Sequence, residues 1–113
     1  MPTFRKCLSQ TVPPAATLTD SYTVPVGTET VVSAIWVCNT NPSTDALFSI
    51  SIAVGGAADS TKQYLVSLIP IIPGDTWEAT VGVTLSAGDI IRVYGSQPNM
   101  AFQFFGAEVV GSP

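Results

Sequence analysis

The stretch Thr30–Asn39, TVVSAIWVCN, is the one from which the fold is read. Five of its ten residues are Val, Ile or Trp, β-branched and aromatic types that suit a pleated strand. Side chains alternate between the two faces of a strand. Strict alternation puts Val31, Ile35 and Val37 with Ser33 on one face, and Val32, Ala34, Trp36 and Cys38 on the other. Both faces are then apolar or small, as in a central strand of an all-β protein. One face belongs to a core, and the other meets a loop or a neighbouring subunit.

Working outward, Ala46–Val54 (ALFSISIAV) has the cleanest alternation in the chain. Phe48, Ile50, Ile52 and Val54 face one way, and Leu47, Ser49, Ser51 and Ala53 the other, which predicts a half-buried antiparallel strand. It is expected to form a hairpin with Thr30–Asn39 across the turn-rich segment Asn39–Asp45. Leu18–Val24 reads as a strand stopped by Pro25 and Gly27, and Gly55–Ser60 as a flexible loop. Gln63–Ile72 carries Pro70, which confines it to an edge or to two short pieces. Thr76–Leu85 alternates, with Trp77, Ala79, Val81, Val83 and Leu85 on one side. Ile90–Tyr94 sets Arg92 opposite Ile91 and Val93. Met100–Val110 turns Phe102 and Phe104 inward, and Phe105-Gly106 has the look of a bulge.

No window has a helical period. Seven or eight short strands separated by turn residues predict a single antiparallel β-sandwich, either jelly-roll-like or Ig-like. The sandwich is expected over residues 18–113. Residues 1–17, with Pro2, Pro13 and Pro14, read as an extended N-terminal arm. Phe4, Leu8 and Val12, four apart, are the side chains such an arm would insert into a neighbour.

The 113 residues are 46% hydrophobic and only 11% charged, against about 25% charged in an ordinary soluble domain. Few charges are left to solvate the surface of one small domain, so part of that surface is expected to be buried against other chains. The net charge is −4. Arg5, Lys6, Lys62 and Arg92 form no stripe, which argues against direct nucleic-acid binding. No apolar run is long enough for a membrane span, and the first ten residues lack the apolar stretch of a secretory signal.

The sequence offers no catalytic constellation. It contains no histidine, which removes the histidine-dependent triads and most zinc and iron sites. Cys7 and Cys38 read as free thiols without a partner motif. Asp45, Asp59, Asp75 and Asp89 fall in four different loops, and Asp75 and Asp89 are explained by the turns that hold them. No phosphate loop is present, and neither a metal nor a cofactor is expected. Trp36, Trp77 and Tyr64 are candidates for a sugar-stacking platform, though aromatic residues of a sandwich are more often core or interface anchors. Arg92 is either a solvated charge or an interface anchor.

Six segments carry a resemblance. They are QxxPPAATLTDxYTVP at Gln10–Pro25, VVSxIxVCN at Val31–Asn39, VxGAADxTKQYL at Val54–Leu65, IPGDT at Ile72–Thr76, LxAGDIIRVY at Leu85–Tyr94 and FxFFGAEV at Phe102–Val109. Together they resemble a family of small structural proteins of tailed bacteriophages, similar to capsid decoration (cement) or tail-associated proteins. The resemblance spans residues 10–110 and contains no site motif. It implies a β-sandwich assembled in many copies in the virion, which is built in the host cytoplasm. The expected function is non-enzymatic: a homo-oligomer, for instance a trimer, bound to the major capsid protein and stabilising the head. The alternative is a tail, neck, baseplate or fibre-associated adaptor, with host-glycan recognition as a variant. Phe4, Leu8, Val12, Trp36, Trp77 and Arg92 are the candidate interface residues.

Overall fold

Alternation and turn residues place most of the strands of the computed structural model, which describes residues 2–111. Residue 1 of the expected arm and residues 112–113 of the expected sandwich lie outside the described part. Among the described residues there are eight strands: β1 (Thr3–Thr11), β2 (Thr19–Thr23), β3 (Thr28–Asn39), β4 (Ala46–Ala53), β5 (Tyr64–Ile71), β6 (Thr76–Leu85), β7 (Ile90–Gly95) and β8 (Met100–Val110). Short 3-10 turns at Val54–Gly56 and Thr61–Gln63 break the chain between β4 and β5.

The strands form two four-stranded sheets. Sheet I has the order β1-β8-β3-β6, and sheet II the order β2-β7-β4-β5. Strand β1 pairs antiparallel with β8, β2 with β7, β3 with β6 and β4 with β5. The first half of the chain therefore folds back on the second as one long hairpin. Additional β3–β8 and β4–β7 pairings roll that hairpin into two sheets. This is the jelly-roll arrangement, and it decides between the two expected sandwiches.

Two expectations about connections are corrected. The segment read as an arm is strand β1, paired with β8 from Thr3 to Thr11. Its prolines flank the strand rather than interrupt it, and β1 lies at a sheet edge where such flanks are tolerated. Strands β3 and β4 are not a hairpin, because the loop after Asn39 carries the chain from sheet I to sheet II.

The core lies between the sheets. Phe48, Ile50, Ile91, Val93, Met100, Phe102 and Phe104 are almost wholly buried there, each contributing roughly 1.5–3 kcal/mol. Trp77 packs on Phe48 with ring centroids 5.2 Å apart. At one end, the buried Asn39 donates to the carbonyls of Thr44 and Ile71 and accepts from the backbone and side chain of Asn41. Its amide thereby ties the loop after β3 to the end of β5. At the other end, the Tyr22 hydroxyl crosses from sheet II to meet Thr30 at 2.8 Å and Glu108 at 2.5 Å. Lys6 completes this network with an ion pair to Glu108 at 3.0 Å.

Strand β4 ends one residue earlier than its alternation suggested. Ala53 is buried and Val54 is exposed, because the chain leaves the sheet into a turn at Gly55, whose φ is 64°.

Candidate interaction surface

A bulge in β3 determines which side chains meet solvent. Val32 pairs with Gly106 and Ala34 with Phe105, so Ser33 is an extra residue relative to β8. Strand β1 is interrupted on the same row: Cys7 pairs with Phe105 and Ser9 with Phe104, leaving Leu8 extra. An inserted residue reverses the alternation beyond it. Thr28, Thr30 and Val32 face the core on one side of the bulge; Ile35, Val37 and Asn39 do so on the other. The strict alternation expected for this strand thus fails at Val31 and Val32: Val31 is on the outer face, and Val32 is buried. The irregularity expected at Phe105-Gly106 lies opposite those residues, in the neighbouring strands.

The consequence is an apolar outer face on sheet I. Along β3 it presents Val31, Ala34, Trp36 and Cys38; along β8 it presents Phe105, Ala107 and Val109. Trp36 is 42% exposed and Val31 37% exposed. The two edge strands supply a polar border, with Arg5 and Gln10 on β1 and Glu78, Thr80 and Thr84 on β6. A shallow depression of about 610 Å³ runs beside Trp36 between Cys38, Gln103 and Phe105. A second, of about 520 Å³, lies between Arg5, Val31, Phe105 and Ala107. Gly106, on the same row, leaves no room for a side chain: a Cβ there would collide with the carbonyl of Val31.

The outer face of sheet II is organised differently. Arg92 pairs in register with Asp20 on one side and Ser51 on the other. Its guanidinium donates to Asp20 at 3.0 Å, to the carbonyl of Ala57 at 2.8 Å and to that of Gly56 at 3.5 Å. Asp89 accepts from the backbone of Gly55 and of Ser86, each at 2.8 Å. The segment expected to be a flexible loop is therefore pinned over this face.

The candidate interface residues separate accordingly. Trp36 lies at the centre of the exposed apolar face. Leu8 is 8% exposed and part of the core, and Trp77 is partly buried on the inner face with its ring against Phe48, so neither belongs to the exposed apolar face. Arg92 is occupied within the chain. Phe4, 53% exposed, lies near the start of β1, and Val12, 60% exposed, follows its last residue. Trp36, Trp77 and Tyr64 lie on three separate surfaces and form no platform. Alternation without the bulge also missed Val31, Phe105 and Ala107; the small and apolar residues at every second place of β8 from Phe105 to Val109 were the available signal.

Cys7 and Cys38 are free. Asp59 bonds Tyr64, and Asp75 accepts from the backbone of Thr76, each within its own loop. Among the described residues, no three histidine, cysteine or acidic side chains come together. Burial and the Glu108 carboxylate push the Tyr22 hydroxyl up to about 12, while the Tyr22 hydrogen bond, with help from Lys6, holds Glu108 below the usual range. This pair joins the two sheets.

No protein-family model and no curated protein matches this chain.

Proposed function

We propose that this chain is a non-enzymatic structural protein of a tailed-phage virion, a decoration protein that binds the major capsid protein as an oligomer and stabilises the head. The observation that carries the reading is the outer face of sheet I. An apolar centre of Val31, Ala34, Trp36, Phe105 and Ala107 with a polar border is the anatomy of a protein–protein interface. The resemblance over residues 10–110 supplies the virion setting. Such a protein works without chemistry: it buries surface in many copies, and weak contacts multiply through avidity on a repeating lattice.

Cryo-electron microscopy of the parent particle tests this. Density fitting the eight-stranded sandwich, repeated over the shell at capsomer junctions, is the expected result. A handful of copies confined to the tail would reject decoration and favour a second reading, a tail or fibre adaptor that recognises host glycans. One observation favours that second reading: Trp36 stands half-exposed beside Gln103 and Thr76, an aromatic face with polar neighbours on which a sugar ring can stack. Glycan binding by the purified chain, abolished by Trp36→Ala, would support it.

A further inference from the structure

We propose that two copies of this chain pair face to face through the outer surface of sheet I, about a two-fold axis passing between Phe105 and Ala34. This makes a second copy the occupant of the apolar face, so that the face builds the oligomer and leaves other surfaces to meet the capsid. It does not depend on the virion reading, because it is a property of the purified chain.

Two charges suggest the geometry. Arg5 lies on the β1 edge, in the row of Ala107 and Val31. Glu78 lies on the opposite edge, in the row of Gln103 and Trp36. Both are exposed, and among the described residues neither has an ion-pair partner, whereas Lys6 and Arg92 do. Three strand spacings separate them laterally, about 14 Å, and four residues of β8 separate them lengthwise, about 13 Å. Phe105 is midway between Gln103 and Ala107 along β8, and the boundary between β8 and β3 is midway between the edges. The midpoint of Arg5 and Glu78 therefore coincides with the centre of the apolar patch.

A two-fold axis in the plane of the face, through that midpoint and perpendicular to the line joining the charges, lays Arg5 of each copy over Glu78 of the other. The face then pairs with itself, with two ion pairs flanking one apolar centre. The axis runs about 45° to the strands, so the strands of the two copies cross near a right angle, one of the two established ways for sheets to stack. The same operation brings each Trp36 toward β1 of the other copy, beside the depression bordered by Arg5 and Phe105. A flat patch that pairs with itself generates a two-fold dimer; a trimer requires two different surfaces.

Crossed at a right angle, two faces each about 19 Å wide overlap in a square of roughly 370 Å² per copy, the size of a weak, concentration-dependent association. The outer face of sheet II is partly covered by the segment that Arg92 holds across it, while Leu47 and Leu68 on that sheet stay exposed.

The test is sedimentation equilibrium of the full chain with Arg5→Glu, Glu78→Arg and the double exchange. The expected result is a particle of twice the 11.8 kDa chain mass. Each single reversal is expected to weaken its dissociation constant roughly tenfold or more, and the double exchange to restore it. Ala34→Glu, which sets like charges across the axis, is an independent lesion expected to give monomer. Circular dichroism verifies that each variant is folded. A wild-type monomer, an oligomer indifferent to these changes, or a folded double exchange that fails to recover would each overturn the proposal.

Discussion

Gly106 lies against the main chain of Val31 so closely that a Cβ at this position would collide with the Val31 carbonyl oxygen. The bulge that reverses β3 brings that carbonyl into the place of a side chain. Gly106→Ala must displace a central strand, and is expected to destabilise the protein by about 1–3 kcal/mol in urea denaturation. Gly82→Ala in the neighbouring strand is the control. A Cβ there meets nothing within 4 Å, so the change should be neutral or slightly stabilising.

Asn39 is wholly buried, and its amide donates to two carbonyls while its oxygen accepts twice from Asn41. Asn39→Asp keeps the shape but points an acceptor at the carbonyls of Thr44 and Ile71. A loss of about 3 kcal/mol is expected. The loss should deepen as pH rises and the new carboxyl ionises, since burial disfavours its charged form. Thermal melts of the variant across the acid range measure both effects.

The Tyr22–Glu108 pair sets limits on stability at both ends of the pH scale. Glu108 has a folded pKa below its unfolded value of 4.5, so its contribution is complete above that value and disappears as pH falls through the folded pKa. Tyr22 is raised from 10.0 to about 12, so the folded state retains a proton that the unfolded state releases, and stability declines between those values. Tyr22→Phe should remove the alkaline decline due to this group and shift the Glu108 titration toward ordinary values. Melting temperature against pH, with NMR titration of Glu108, reads both.

Arg92→Lys tests the clamp over sheet II. A lysine has one point of attachment where the guanidinium reaches Asp20, Ala57 and Gly56. The expected outcome is a loss of about 1 kcal/mol and faster hydrogen exchange at Gly55 and Ala57, with the core strands unchanged.

Much of the fold was legible where alternation ran unbroken. The inner row of β6 from Trp77 to Leu85, and the inward Phe102 and Phe104, follow directly from period two. Strand β1 was hidden because flanking prolines and the charges of Arg5 and Lys6 are also what guards an edge strand. The crossing after Asn39 was hidden because the same turn residues serve a hairpin and a passage between sheets. In the interaction surface, Trp36 was legible as an aromatic residue without an assured core place. Its companion Val31 was not, because a bulge in its own strand reverses the face without marking the sequence at that position; Phe105 follows from the alternation that turns Phe102 and Phe104 inward, and was obscured by the bulge expected at Phe105-Gly106, which lies in β1 and β3 instead. Trp77 and Leu8 illustrate the converse: apolar residues proposed for an interface are core residues once the pairing is known.

The central claim is that the face around Trp36 is buried when the protein is assembled. Hydroxyl-radical footprinting of Trp36 in the assembled protein, compared with the folded Glu78→Arg variant, tests it most directly. The account predicts strong protection of Trp36 in the wild type that is lost in the variant, while Phe4 and Val12 are labelled equally in both. Labelling of Trp36 at the same rate in both proteins would contradict it.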